Sequence, residues 1–399
     1  MLELDCGLDF AAERDADFFS LIPAKPGVCL IQSSEAAAEP YLIRTADLRR
    51  RLQRLLSAPD PASKRLNLRD FAAQVRYRLT ASAFEQMLTY YQQARLRFPK
   101  RYRDLLRLRP AAVLKVSLRN AYPRCYVTRR IAVNEQGLPV QGAYYGPFAS
   151  RRSAEAFAEK MLDFFKVRRC QIKIRRDPAF PGCIYSEMKM CLAPCFAGCT
   201  KEEYEGEVDR LVSFLETKGG SLHGQLEEER ERASAELDFE KAAAIHKRLE
   251  KLDDVLRGQP ELARKIQDLD AVILQRTAEE QAVMLYAVRG GRLAEPFTLR
   301  FDDTSAPRSA EETVRDYLEG VTNAAPHSEN ARQSAVELGE HLWLLARWFF
   351  SNPREGEIFF RDKDWPYRRI LRGCSRLLAP KVTEEQTQPG AKAKGKEAR

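Results

Sequence analysis

Met190-Cys191-Leu192-Ala193-Pro194-Cys195, with Cys183 and Cys170 upstream, is the stretch on which the reading of this chain turns. Cys170, Cys183, Cys191 and Cys195 are separated by twelve, seven and three residues, so four thiols fall within 26 residues. In a long intracellular chain such a group points to a metal or iron–sulfur site before it points to disulfides. Four thiolates are the usual complement of a cubane cluster or of tetrahedral zinc. Packing alone is a poor account of so many cysteines in so short a span. Cys199 is either a spare thiol or a substitute ligand. Lys166, Arg168, Arg169, Lys173, Arg175 and Arg176 flank the first cysteine. Their positive field is expected to lower the thiol pKa values and to hold a phosphate backbone nearby.

Working outward, the segment upstream alternates like strands at Val113–Val116 and Tyr126–Thr128, closes on Tyr144-Tyr145-Gly146-Pro147-Phe148, and continues as a helix over about 153–165. Downstream, residues 201–257 are charged and helical. One stripe carries Leu222, Leu226, Ala233 and Leu237, a second carries Ala242, Ile245, Leu249, Leu252 and Leu256, and the two helices meet near Asp238. An isolated two-helix hairpin cannot bury both stripes, which calls for a partner surface. The alternative is an ordinary helical pair within the chain. Residues 268–301 again read as strands, and a helix follows over about 331–350.

At the other end, Pro26–Ile31 and Pro40–Ile43 read as paired strands. A basic helix over 46–56 carries Leu48, Leu52 and Leu55 on one face, and a second helix over about 82–98 stops before Pro99. The whole is expected to be α+β: a small α/β unit over 15–109, a four-cysteine region over 110–200, a helical hairpin region over 201–260, a mixed α/β unit over 265–385 and a disordered basic tail over 386–399. Net charge is +9, with arginine dominating the basic side, which favours a polyanionic partner weakly. No apolar run is long enough to span a bilayer. The first residues lack the basic-then-apolar pattern of a signal peptide, so a soluble cytoplasmic protein without membrane contact is expected.

These motifs resemble the UvrC family of nucleotide-excision-repair proteins. Tyr144–Arg151 is similar to its Tyr-Phe-Gly-Pro-Phe-x-Ser segment, and Met190–Cys195 to its Arg-Cys-Leu-Ala-Pro-Cys signature. Residues 222–257 resemble the UVR motif, through Leu226, Ala233-Ser234, Leu237, Phe239-Glu240, Ala242-Ala243 and Leu249, with His246-Lys247 where the family has Arg-Asp. The resemblance implies an iron–sulfur cluster, [4Fe–4S] with zinc as the alternative, on Cys170, Cys183, Cys191 and Cys195. It implies UvrB bound through Leu237, Phe239, Glu240, Ala242, Ala243 and Leu249, with Phe239 as the aromatic anchor. It also implies damaged double-stranded DNA held by basic residues such as Arg151, Arg152, Lys166, Arg168 and Arg169.

The same resemblance makes residues 15–109 a GIY-YIG nuclease domain, with Tyr41 and Arg51 matching the family's second tyrosine and its helix arginine. Such a site needs a divalent cation on a carboxylate, Mg2+ if active, together with tyrosine hydroxyls and a cation beside the phosphate. Here Cys29, Ile43 and Leu55 replace the first tyrosine, a glycine and a helix tyrosine, and Tyr90 stands where the metal glutamate belongs. Glu85 lies five residues earlier; at about 100° per residue it points to a different helix face. A degenerate domain kept for shape or DNA contact is the preferred reading, with a nuclease using Glu85 and a cluster-dependent regulatory DNA-binding protein as rivals. Asp270–Ile273 and Val288–Leu293 resemble the opening strands of the family's RNase H-like region. No Asp-Ile-Ser-His-type segment and no helix–hairpin–helix signature follows. Asp302-Asp303 reads as an exposed turn.

Overall fold

The computed structural model describes residues 2–379 apart from 36, 60, 61, 63, 302–308 and 325–329. Asp302-Asp303 and the basic tail over 386–399 lie outside the described residues.

The first sheet is antiparallel and contains β1 (Cys6–Asp9), β2 (Gly27–Gln32), β3 (Tyr41–Thr45) and β4 (Gln74–Leu79) in the order β1-β4-β2-β3, so β3 is an edge. β1 and the buried Leu2 and Leu4 place the start of this unit ahead of the expected residue 15. α1 (Asp15–Leu21) and α2 (Leu48–Leu56) cover one face. α2 begins where Asp47 accepts the Arg50 amide. Its Leu48, Leu52, Leu55 and Leu56 are all buried, each stabilising by about 2 kcal/mol through the apolar area removed from water. α3 (Ala83–Arg97), capped by Ser82, and α4 (Tyr102–Leu106) pack on the other side.

The second sheet takes β5 (Ala112–Val116), β6 (Cys125–Thr128), β7 (Ala143–Phe148) and, after a long excursion, β8 (Arg264–Lys265), in the order β6-β5-β7-β8. α5 (Arg151–Leu162) packs on it and leads through the cysteine loop, with its short α6 (Ile184–Glu187), to α7 (Lys201–Glu216). The hairpin is α8 (Gly220–Ala235) and α9 (Phe239–Arg257). Apart from Leu237 at the tip, its two stripes are satisfied inside the chain. Leu222, Leu226 and Ala233 meet Ile245, Leu249, Leu252 and Val255 in one core with Phe165, Leu211 and Phe214. The expectation that these stripes require an external surface is therefore corrected, because α5 and α7 supply it.

The third sheet is built from β9 (Ala271–Arg276), β10 (Ala282–Arg289), β11 (Arg292–Leu293), β12 (Phe297–Arg300) and β13 (Glu357–Phe360). Every ladder in it is antiparallel. α10 (Ala310–Asn323) and α12 (Tyr367–Leu378) cover one face, and α11 (Ala331–Phe349) lies on the other. The expected α+β class is the observed one.

The outer units share an interior. Phe84 on α3 meets Tyr286 on β10 and Trp348 on α11, with ring centroids 5.0 and 5.8 Å apart. About two turns before Trp348 on α11, Glu340 is 1% exposed. Its carboxylate accepts the hydroxyls of Tyr91 (2.7 Å) and Tyr102 (2.6 Å) and the guanidinium of Arg103 (2.9 Å). Glu340→Leu is expected to lower stability by about 3 kcal/mol, since two buried hydroxyls lose their acceptor. Thermal and urea unfolding of the full chain measure this, and a loss within 0.5 kcal/mol, approximately the effect of a surface substitution, would contradict it.

Candidate functional site

The cysteine loop is threaded between α5 and α7. Leu192 donates its amide to Lys166 O (3.0 Å) and Asp177 to Cys195 O (2.9 Å), so the chain folds back on itself twice. Lys189, Ala193 and Ala197 hold left-handed backbone, at φ 56, 56 and 64°, which curls the segment tightly around Cys191 and Cys195. The four thiols share one neighbourhood, where Cys191 is influenced by the charges of Cys170, Cys195 and Cys183. Among the described residues no three His, Cys, Asp or Glu side chains converge to metal-ligand distance. The group is thus gathered but not closed into a cage.

The donor chemistry around these sulfurs suits thiolates. Cys191 Sγ accepts the Ala193 amide (3.3 Å), Cys170 Sγ lies 3.7 Å from an Arg168 Nη, and the Phe196 amide acts on Cys195. Burial nevertheless outweighs these donors. It pushes the Cys191 thiol up to about 11, helped by the neighbouring sulfurs, and raises Cys195 as well. At Cys191 and Cys195 the expected lowering by nearby cations is corrected, because burial prevails. Arg168 is 6% exposed, and its guanidinium is occupied by the carbonyls of Tyr122 (2.8 Å), Ile172 (2.9 Å) and Cys170 (3.2 Å). Arg169 is paired with Asp163 (2.8 Å). Lys166 is exposed, as are Arg151 and Arg152 at the start of α5, where Arg151 pairs with Glu155. Arg168 is therefore a structural cation, and Cys199 is buried in the core under α7.

At the hairpin tip the two helices are joined by Glu236-Leu237-Asp238. Asp238 donates to Ala233 O (2.9 Å) and accepts the Lys241 amide (3.0 Å), closing α8 and opening α9. Leu237 takes φ 61° in that turn, a conformation usually left to glycine. The turn leaves Leu237 71% and Phe239 68% exposed, an apolar pair with no cover. Glu240 and Ala243 are exposed beside it, Ala242 is half-buried, and Leu249 faces the chain's own core.

In the N-terminal unit, Tyr41 lies on the edge strand and lines an open cleft with Arg44, Met87, Tyr90, Leu105, Trp343 and Arg347. No Asp or Glu lines it among the described residues, and neither does Arg51. Cys29 and Ile43 are register partners across β2 and β3, and with Leu55 they are buried in the core beneath α2. Glu85 is 3% exposed. It accepts from Arg78 (3.3 Å) and the Ala81 amide (3.0 Å), and burial raises its carboxyl above the ordinary range. Asp270, ahead of β9, is likewise engaged, by the Gly290 amide (2.9 Å) and by Arg361 (3.4 Å). Sequence reasoning reads Trp343 only as core or an interface patch and misses Arg347; their helix comes from the far end of the chain.

Residues 111–214 match the model of the UvrC/Cho excinuclease middle domain, and residues 220–255 match the UvrB/uvrC motif. The chain is 28% identical over 278 residues to the UvrABC system protein C of Chlamydia caviae, covering 68% of this chain and 44% of that protein. The protein of the same name from Dehalococcoides mccartyi is 27% identical over the same length and shares. That of a Thermoanaerobacter species is 25% identical over 342 residues, 85% of this chain and 54% of that protein. The chain thus spans about half the length of the curated relatives it matches. No solved structure matches it. Among the described residues no helix is long and apolar enough to cross a membrane.

The two basic positions at the cysteine loop separate by burial. Arg168→Leu is expected to destabilise the chain by about 3 kcal/mol, through loss of charged bonds to buried carbonyls. Lys166→Leu should stay within about 0.5 kcal/mol. Thermal melting of the two variants reads the contrast, and equal losses would contradict it.

Proposed function

We propose that this chain, of the UvrC family by its middle domain and its UvrB/uvrC motif, acts with UvrB on damaged double-stranded DNA in excision repair, more as a scaffold than as a nuclease. The observation that carries the reading is the bare apolar pair at the hairpin tip, Leu237 and Phe239. Since the stripes of α8 and α9 are already buried within the chain, the tip is what remains for a partner, and Leu237, Phe239, Glu240, Ala242 and Ala243 surround it. Burying an aromatic ring at the centre of a contact contributes about 2 kcal/mol or more. Phe239→Ala is expected to weaken binding of purified UvrB at least ~30-fold, by calorimetry or surface plasmon resonance. Unchanged affinity would remove the docking reading. Leu249→Ala, by contrast, should act first on thermal stability.

The impaired-incision part of the proposal rests on the cleft around Tyr41, whose lining lacks a carboxylate. Without one, a divalent cation has no anchor there, and Glu85 is held elsewhere by Arg78. Tyr41 and Arg51 remain as remnants. DNA contact is assigned to the exposed Arg151, Arg152 and Lys166.

Cys170, Cys183, Cys191 and Cys195 would hold an iron–sulfur cluster, or zinc, and such a group would bind the loop between α5 and α7 into one rigid piece. The residues fit it, because amide and guanidinium donors approach three of the four sulfurs. Anaerobically isolated protein is expected to contain iron and sulfide, or zinc, with the metal content sharply reduced in Cys191→Ser. Material carrying neither metal would overturn this assignment and leave the docking test untouched.

A further inference from the structure

The cleft at Tyr41 enters the reading above only through the carboxylate its lining lacks, and the residues that do line it have a distinctive chemistry of their own. About 260 Å3 of space opens where the edge strand β3, α3, α4 and α11 meet. Its polar walls are two ring–guanidinium pairs. Arg44 lies over the Tyr90 ring at 5.7 Å, and Arg347 lies over the Trp343 ring at 5.5 Å. Tyr41 lies close enough to Tyr90 to act on its hydroxyl. The three aromatic residues are half-buried, whereas both arginines are exposed. Among the described residues neither arginine is paired with a carboxylate, and none lines the cleft.

Each of these features selects a class of ligand. Two unneutralised guanidinium groups beside one cleft favour an anion and disfavour a divalent cation. Exposed portions of aromatic rings favour a flat π-face. A nucleobase with its phosphodiester offers both in one unit. Stacking of bases on aromatic side chains beside a cationic track is how proteins hold single-stranded nucleic acid. A base that has left its stack can present a face to such a cleft. An acidic peptide would satisfy the arginines but leave the ring faces without a planar partner.

We propose that this cleft grips one unpaired nucleotide of DNA, its base against Tyr90 and Trp343 and its phosphates on Arg44 and Arg347. The choice of DNA rests on the repair reading above, whereas the grip on a base and its phosphate rests on the cleft alone.

The test uses the full chain without UvrB, so that its outcome is independent of the docking test. Binding of fluorescein-labelled oligo-dT and of a blunt duplex is followed by anisotropy. Wild-type protein is expected to bind oligo-dT. The Arg44→Gln/Arg347→Gln variant, altered only at exposed positions, should bind it about ten-fold more weakly, with duplex affinity nearly unchanged. Trp343→Leu should lose a similar factor. Of the three tryptophans, Trp348 and Trp365 are buried, so Trp343 is the one a ligand can quench. Oligo-dT should therefore quench wild-type emission, while Trp343→Phe keeps the affinity and loses the quench. Three outcomes overturn the proposal: no oligo-dT binding by wild type, an unchanged affinity in the arginine variant, or an undiminished quench in Trp343→Phe. Tighter capture of an acidic peptide than of oligo-dT at these residues would overturn it too.

Discussion

A single buried carboxylate sets the geometry on which the outer parts of this molecule depend. Glu340 is removed from water, so its oxygens must find donors within the protein. Tyr91 on α3 and Tyr102 on α4 provide them, with Arg103 at the rim. Shifting α11 by one residue along these helices would strand all of these groups, so the bonds fix its register as the surrounding apolar contacts cannot. Trp343 and Arg347 follow Glu340 by three and seven residues and share its helix face. On the partner side, Tyr90 is the neighbour of Tyr91, and Leu105 and Leu106 lie one turn beyond Tyr102. The same three elements that seal the carboxylate thus supply the walls of the cleft.

The middle of the molecule obeys a different constraint. Its sheet, α5, α7 and the hairpin share one apolar core, and among the described residues the buried charged side chain beside it is Arg168. A guanidinium can enter such a place because its donors match several carbonyls at once. It connects Tyr122 near β6 to the start of the cysteine loop, while the Tyr204 hydroxyl accepts its amide and donates to Pro123 O. The loop is thereby fixed at its root but left to arrange its sulfurs through local turns. Burial keeps Cys191 protonated in the ordinary range of pH, so a metal entering the group would have to displace protons.

Much of this was legible from residue order. The strands at 26–31, 40–43, 113–116 and 144–148, the helices from 82 and 331, and the hairpin turn at Asp238 all appear where periodicity and capping residues put them. The losses have physical causes. β1 is four residues long, and β4, Gln74–Leu79, is dominated by polar residues on one face, so neither carries a strong apolar signal. The stripes of α8 and α9 read correctly as apolar, but the sequence does not say whether the covering surface is a partner or α5 and α7. Arg168 reads as one of a run of surface cations because burial is set by distant residues. The cleft was invisible for the same reason, since Tyr41, Tyr90 and Trp343 are united only by tertiary packing.

Cys29, Ile43, Leu55 and Tyr90 in the N-terminal unit form a coherent set when each is placed by its surroundings. Cys29 and Ile43 face each other across neighbouring strands and, with Leu55, fill the core that α2 closes. The space they fill is apolar, where a polar group without a partner would be costly. Tyr90, by contrast, lies at the cleft and brings a π-face where a metal-binding carboxylate would bring charge. Among the described residues no carboxylate pairs with Arg44 or Arg347, and their positive potential opposes a divalent cation at the cleft. One face of the sheet is thus apolar interior, and the other carries a cleft lined by rings and guanidinium groups. The two features reinforce each other, because a rigid core beneath β3 is what allows an exposed edge to hold a shaped cleft.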